Sequence, residues 1–179
     1  MNYHEILENI YQEILPYAQH GKQADYIPAL AKVNPDQFGM CLHTVEGDVY
    51  DIQSSQTRFS IQSISKVFSV ALALSLKGEE LWKLVGKEPS GNAFNSLFQL
   101  ELEKGFARNP FINPGAIVVA DILLNELENP EEDFLRFVRT LCDDQTIDFN
   151  MEVATSEREN GYMNAAIANL LKYHGRIQN

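Results

Sequence analysis

The sequence predicts an α/β fold in which helices outnumber strands. Several segments carry apolar residues at helical spacing, whereas only one pair of segments has the alternation and the turn of a β-hairpin. The chain has 179 residues, 45% of them hydrophobic and 22% charged, which is the composition of an ordinary globular protein. This length fits one domain, or part of a larger one, and is enough to bury a substantial core.

The first predicted helix covers residues 3–14, where the apolar side chains recur on one helical face. Asn2 can cap this helix, and Glu5 three residues later completes a capping pair. Pro16 should end or bend the helix, because proline lacks the N–H that a helix interior needs.

Residues 38–45 and 48–52 are predicted to form two antiparallel strands joined through Glu46, Gly47 and Asp48. Cys41 lies within the first strand, where apolar neighbours favour a buried and inert thiol. The second cysteine, Cys142, is far away in sequence, so no metal-binding spacing is indicated, and a reducing compartment is expected.

A third segment, from Ser63 to Lys77, is predicted to be a helix that Gly78 ends. Its interior is apolar on nearly every side, which is typical of a helix buried among other elements. Later segments are predicted as a loop at residues 86–95, an irregular stretch at 109–115 that opens a helix at 116–126, a helix beginning at Glu131, and a last helix that begins with a capping box at 156–159.

The net charge of −11 gives no electrostatic support for binding nucleic acid or an anionic membrane. The first residues lack the basic and apolar regions of a signal peptide, and no apolar run is long enough to span a bilayer, so a cytoplasmic protein is expected. The four histidines are scattered through the sequence without metal-like pairing, and no metal site is predicted.

The chemistry is concentrated at Ser63 and Lys66, the one Ser-x-x-Lys in the chain. A serine hydroxyl becomes a good nucleophile when a base takes its proton, and lysine can be that base when an apolar site favours its neutral form by lowering its pKa. Three residues are about one helical turn, so the two side chains face the same way. The N-terminus of the helix also directs N–H groups at a developing oxyanion.

A structural reading of the same pair stays open, because a serine at a helix start is often a cap and a lysine one turn later is often solvated. The context favours catalysis, since this Ser-x-x-Lys opens the most apolar helix of the chain, where a solvated lysine is out of place.

Residues 59–68 closely resemble the nucleophile segment of the serine-dependent glutaminases, relatives of the β-lactamases and penicillin-binding proteins. Four further blocks are similar to that family in the family's order, namely residues 21–28, 85–91, 109–113 and 157–164. The resemblance covers nearly the whole chain, and five ordered blocks are far more specific than any one motif.

The resemblance implies a three-layer fold of the β-lactamase/transpeptidase type, in which residues 1–179 form the N-terminal part of a single glutaminase catalytic domain. Family members continue well past the position that matches Asn179, so the later strands and helices of that domain are expected to be absent from this chain. The implied reaction is hydrolysis of L-glutamine to L-glutamate and ammonia without a cofactor. Intact relatives are typically homo-oligomers.

By the same resemblance, Ser63 is the nucleophile, Lys66 its base and Tyr26 a proton relay near the serine. Substrate contacts are implied, together with that of Ser63 itself, for Gln62, Asn113, Glu157 and Asn164. The chemistry agrees, because free glutamine carries an ammonium that needs a carboxylate and a carboxylate that needs amide-type donors. Glu157 and Asn164 are seven residues apart on one predicted helix, which is two turns, and this places them on one face where they can hold one small ligand together.

Local structural roles remain open for four of these residues. Asn113 before Pro114 is a good helix cap, Glu157 suits the positive end of a helix, Asn164 can lie on the surface, and Tyr26 can pack beside Ile27. Two other functions also remain: another Ser-x-x-Lys acylase of the penicillin-binding or esterase-like type, and a non-catalytic fragment that retains part of a ligand site.

Overall fold

The computed structural model describes residues 1–179, except for the side chain of Gln19. The chain divides into two compact units, Met1–Ser60 with Asn150–Asn160, and Ile61–Phe149 with Gly161–Asn179. No described helix has the length and apolar character needed to cross a membrane.

The first unit contains the predicted helix and hairpin. Helix α1 covers Tyr3–Ile14, a 3-10 turn Leu15–His20, helix α2 Pro28–Ala31, strand β1 Gly39–His43, strand β2 Val49–Gln53 and helix α8 Met151–Asn160. The sequence predictions for α1 are confirmed, since the Asn2 side chain accepts from the backbone of Glu5 at 3.3 Å and the α-helix stops two residues before Pro16.

Strands β1 and β2 pair antiparallel, with Gly39 opposite Gln53 and His43 opposite Val49. The predicted turn is present, and Gly47 adopts φ +96°, a conformation that favours glycine. Cys41 is exposed, so the prediction of a buried thiol is wrong. Successive side chains of a strand point to opposite faces, and Met40 and Leu42 take the more buried face of β1.

The second unit is helical. It contains a 3-10 turn Gln62–Ile64, helix α3 Ser65–Lys77, a 3-10 turn Gly78–Glu80, and helices α4 Leu81–Leu84, α5 Leu97–Leu102, α6 Asn113–Glu126, α7 Pro130–Cys142 and α9 Tyr162–Tyr173. Its core is built around α6, which packs against α3 and α9. The largest fully buried side chains of this unit include Leu81, Val85, Val118, Val119, Ile167 and Leu171.

Helix α3 is less buried than its composition predicts. Leu72 and Ala73 reach the core, but Val67 remains 55% exposed and Leu76 42% exposed. The apolar residues of α3 encircle the helix, whereas the described neighbours in its unit cover only part of that circumference. The most enclosed helix is α6, and its Asp121 carboxylate accepts hydrogen bonds from the backbone of Gln178 at 3.1 Å and of Asn179 at 2.8 Å.

Gly161 separates α8 from α9, so the prediction that one helix carries both Glu157 and Asn164 is wrong. Asparagine and glycine are poor helix formers, and the Asn160–Gly161 pair ends one helix and starts the next. The predicted capping box at Ser156 is also wrong, because Ser156 lies inside α8 and its hydroxyl accepts a hydrogen bond from the Ala29 backbone at 3.2 Å.

Candidate active site

The second unit brings together three of the predicted site residues, Lys66, Asn113 and Asn164. The Lys66 amine donates to the Asn113 side-chain oxygen at 2.8 Å and to the Phe111 carbonyl at 3.0 Å. The Asn113 amide nitrogen in turn donates to the Asn164 side-chain oxygen at 2.9 Å. Helices α3, α6 and α9 therefore each contribute one side chain to a continuous hydrogen-bonded row.

Asn113 does not cap its own helix, so the capping interpretation is wrong. Ile112 is the cap residue of α6, Pro114 lies in the first turn, and the Asn113 side chain is committed to Lys66 and Asn164. The Asn113 amide thus uses its oxygen as an acceptor for Lys66 and its nitrogen as a donor to Asn164.

The segment before α6 is held in shape by Asn109. Its side-chain oxygen accepts from the backbone of Phe111 at 3.0 Å and of Ile112 at 3.2 Å, and its amide nitrogen donates to the Glu88 carbonyl at 2.8 Å. Buried Gly115 allows this turn to lie against the helix, because an added Cβ would come within 1.9 Å of the Asn109 carbonyl oxygen. The turn leaves the Phe111 carbonyl free to face Lys66.

Ser63 lies in the 3-10 turn Gln62–Ile64, directly before α3, and its side chain is exposed. It is not a helix cap, because Ile61 and Ile64 occupy the cap positions and neither helix has a side-chain cap. The Ser65 hydroxyl, by contrast, donates to the Gln62 carbonyl at 2.7 Å. Of these two serines, Ser63 is the exposed one, and it lies directly before the positive end of α3.

The residue before this serine has an unusual backbone. Gln62 adopts φ +45°, in the left-handed region that residues with a side chain rarely enter. Such a conformation costs on the order of 1–3 kcal/mol and is concentrated at functional sites. Here it lies at the sharp entry into the turn that presents Ser63.

The apolar surroundings predicted for Lys66 are only partly present. The side chain is half-buried, and its amine lies between two oxygen acceptors and 5.2 Å from the centre of the Phe94 ring. Sequence reasoning missed Phe94 and the Phe111 carbonyl. The sequence block at 109–113 indicated the neighbourhood of the Phe111 carbonyl, whereas nothing in the sequence singled out Phe94.

Tyr26 and Glu157 belong to the first unit. Tyr26 is 71% exposed, so the alternative in which it packs beside Ile27 is not what the structure has. Glu157 is half-buried on α8. The segment after Tyr26 is joined to α8 by the hydrogen bond from Ala29 to Ser156 and by an ion pair of 2.9 Å between Lys32 and Glu152.

The carboxyl next to Tyr26 is perturbed by its neighbour. Lys22 lies 2.6 Å from Asp25, and its hydrogen bond and positive charge lower the pKa of that carboxyl below its ordinary value. Asp25 is fully exposed, so the pair contributes little to stability and mainly keeps the carboxylate ionised.

Comparisons with known proteins identify the family. The family model described as Glutaminase matches residues 21–179, which is most of the chain. The chain belongs to the glutaminase family. A glutaminase of Rhizobium etli is 53% identical over 175 residues, which are 96% of this chain and 56% of that protein.

Solved glutaminase structures share the fold. The Bacillus subtilis probable glutaminase matches with a TM-score of 0.84 and 31% identity over 98% of this chain and 54% of that one. A probable glutaminase from Bacillus subtilis complexed with 6-diazo-5-oxo-L-norleucine matches with a TM-score of 0.79 and 30% identity, over 99% of this chain and 54% of that one. The chain thus has the β-lactamase-like fold of the glutaminases and spans a little over half the length of the relatives it matches.

Proposed function

We propose that this chain carries the nucleophile and part of the substrate site of an enzyme that hydrolyses L-glutamine to L-glutamate and ammonia. The observation that carries the proposal is the row formed by Lys66, Asn113 and Asn164, whose lysine follows the exposed Ser63 by three residues. Membership of the glutaminase family supports the choice of substrate.

In the proposed reaction the Ser63 oxygen attacks the δ-carbonyl carbon of glutamine while Lys66 accepts the hydroxyl proton. The C–N bond then breaks, and the proton returns from Lys66 to the leaving nitrogen, so that ammonia departs. Water attacks the acyl-enzyme, giving up its own proton through Lys66, and releases glutamate with a restored Ser63 hydroxyl. No cofactor takes part.

The substrate contacts are assigned by charge and hydrogen-bonding capacity. Glu157 provides the counter-charge for the α-ammonium, and the amide groups of Gln62, Asn113 and Asn164 suit the carboxylate and amide groups of glutamine. Tyr26 is assigned the transfer of a proton close to Ser63. These roles are proposed for a protein that has the full length of the relatives.

The first test measures covalent capture of Ser63. We expect 6-diazo-5-oxo-L-norleucine, a glutamine analogue with a reactive diazo ketone, to add one adduct that peptide mapping places on Ser63. Ser63→Ala should lose the adduct and lower any glutamine turnover by at least about 10³-fold, as removal of a nucleophile does. Ser75→Ala is the matched control, because that hydroxyl only donates to the Leu72 carbonyl of the same helix.

An adduct on Ser65, or equal labelling of the Ser63→Ala protein, would show that the assignment is wrong. Ammonia release from glutamine and asparagine, compared with turnover of a chromogenic β-lactam, separates a glutaminase from another Ser-x-x-Lys acylase. Turnover of the lactam alone would reverse the choice of substrate.

The wider organisation is proposed on the family resemblance. Residues 1–179 are taken as the N-terminal part of one catalytic domain, in a cytoplasmic enzyme that forms homo-oligomers. Sedimentation of the protein at several concentrations tests the oligomeric state, and a species that stays monomeric throughout would contradict it.

A further inference from the structure

Phe94 makes two separate contacts with the candidate site. Its ring lies 5.2 Å from the Lys66 amine, and its backbone carbonyl accepts a hydrogen bond from the backbone N–H of Asn113 at 2.8 Å. A cation within about 6 Å of an aromatic ring is attracted by the negative face of that ring. One residue of an irregular loop therefore contacts both Lys66, the proposed base, and Asn113, a proposed substrate-binding residue.

The loop that carries Phe94 is held by a buried polar side chain. Gln99 is 7% exposed, and its oxygen accepts from the Ser90 hydroxyl at 2.8 Å and from the Asn92 amide at 3.2 Å. Ser96 caps the following helix by accepting from the Gln99 backbone at 3.3 Å. A buried amide left without hydrogen-bond partners destabilises the folded protein, so Ser90 and Asn92 are held at Gln99. This network fixes the path of the backbone on both sides of Phe94.

We propose that Phe94 is a positioning residue, which holds Lys66 and Asn113 in place and stabilises the ammonium that Lys66 becomes when it accepts the Ser63 proton. The inference rests on the proposed function in one respect, since it takes Lys66 as the base. Three uncharged groups contact the amine: the Phe111 carbonyl, the Asn113 side-chain oxygen and the Phe94 ring.

The ring differs from the two oxygens in what it does for the amine. An N–H of either form of lysine can donate to an oxygen, whereas the attraction to the ring is strong only for the cation. Loss of the ring should therefore change the balance between ammonium and amine while both hydrogen bonds remain. Phe94 is 59% exposed, so its replacement removes little buried surface.

The test measures the reactivity of Lys66 directly and needs no turnover. Trace acetylation by acetic anhydride between pH 6 and pH 11, with each lysine quantified by peptide mass spectrometry, gives a labelling midpoint for each amine. In Phe94→Leu we expect the ratio of amine to ammonium at Lys66 to rise about two- to fivefold, which moves the midpoint down by about half a pH unit. Phe94→Trp should keep the midpoint at or above its original position.

The chain provides matched controls. Lys87 lies 4.6 Å from the centre of the Trp82 ring, so it is a second cation–aromatic pair whose midpoint should not respond to changes at Phe94. Phe98→Leu removes another exposed ring, 74% exposed against 59% for Phe94, and should leave the Lys66 midpoint unchanged. A change in accessibility alone alters the plateau of labelling at high pH, whereas a change in the balance of the two forms alters the midpoint.

An unchanged Lys66 midpoint in Phe94→Leu, or an equal change in Phe98→Leu, would overturn the inference. If Phe94→Leu failed to fold, Phe94→Trp would decide the matter, because a midpoint well below the original in that variant contradicts a stabilising ring. None of these results depends on glutamine turnover, so failure of the inference and failure of the proposed function are separate outcomes.

Discussion

A carboxylate that receives an ammonium group acts through its charge, and Glu157 is the residue assigned to this task. In Glu157→Gln the side chain keeps its length and loses its charge, so glutamine binding should weaken about 10- to 100-fold, which is the range for a hydrogen bond to a charged group. Calorimetric titration with glutamine measures the change.

Glu159→Gln is the control, because residues two apart on a helix point to nearly opposite sides and Glu159 is exposed on α8. Equal glutamine affinity in Glu157→Gln and the unaltered protein would remove Glu157 from the site.

At the scale of single residues the sequence identified which side chains carry polar chemistry, and the structure brings Lys66, Asn113 and Asn164 together. It could not identify Phe94 or the carbonyl of Phe111. A backbone carbonyl acts whatever its side chain is, and the place of an aromatic ring in an irregular loop depends on the path of the backbone, which has no periodicity to read.

At the scale of elements, the junction before α6 depends on the absence of a side chain at Gly115. In Gly115→Ala the new methyl group would overlap the carbonyl of Asn109, a backbone atom that the turn holds in place. We expect a loss of about 3 kcal/mol in the free energy of unfolding, as overpacking at a buried site does. Urea unfolding followed by Trp82 fluorescence measures it.

Gly91→Ala is the matched control, because an added Cβ at this position of the preceding loop meets no atom within 4 Å. Its free energy of unfolding should stay within about 0.5 kcal/mol of the original. If both variants were equally stable, the close approach at Gly115 would not be a constraint on the fold.

Elements with strong local signals were predicted well. The cap at Asn2, the turn at Gly47 and the stop at Gly78 each depend on a few neighbouring residues, and all are present. Helices α4 and α5 were missed, because helices of 4 and 6 residues are too short to show a period. The break at Gly161 was missed because residues 156–159 have the pattern of a capping box, which predicts a helix start there, whereas the apolar pattern begins only after Gly161.

At the scale of the whole molecule, three carboxyls of the first unit have a lowered pKa. The Ser55 hydroxyl and Gln56 amide lower the pKa of Asp51, Lys32 lowers that of Glu152, and Lys22 lowers that of Asp25. A carboxyl whose pKa is lower in the folded state contributes stability above its ordinary pKa and loses it as the pH falls through the lowered value. Because Asp25 and Glu152 are exposed, the effect is small, and the first unit should lose a minor part of its stability as the pH falls below about 4.

Backbone NMR signals recorded from pH 7 to pH 2.5 test this expectation unit by unit. Lys32→Gln should make the first unit less sensitive to acid, because it removes the cause of the lowered pKa at Glu152, and Lys172→Gln in the second unit should not. Since these carboxyls are exposed, 0.5 M salt should reduce the difference. An equal acid response of the first unit in Lys32→Gln and in the unaltered protein would contradict the assignment.

The exposed side of α3 shows where sequence reasoning about a whole molecule stops. A pattern of apolar residues states which side chains avoid water, and it correctly marks Leu72 and Ala73 as core. It contains no information on what covers Val67 or Leu76. That depends on segments distant in sequence, and the chain spans 56% of the length of its Rhizobium etli relative.

The carboxylate of Asp121 has a consequence for the path of the backbone after α9. The Asp121 carboxylate accepts hydrogen bonds from the backbone N–H groups of both Gln178 and Asn179. Helix α6, which carries Asp121, therefore sets the direction of the backbone after α9. These two residues are therefore tied to the central helix. They can be displaced only together with α6, or if water replaces their N–H groups as donors to a nearly buried negative charge.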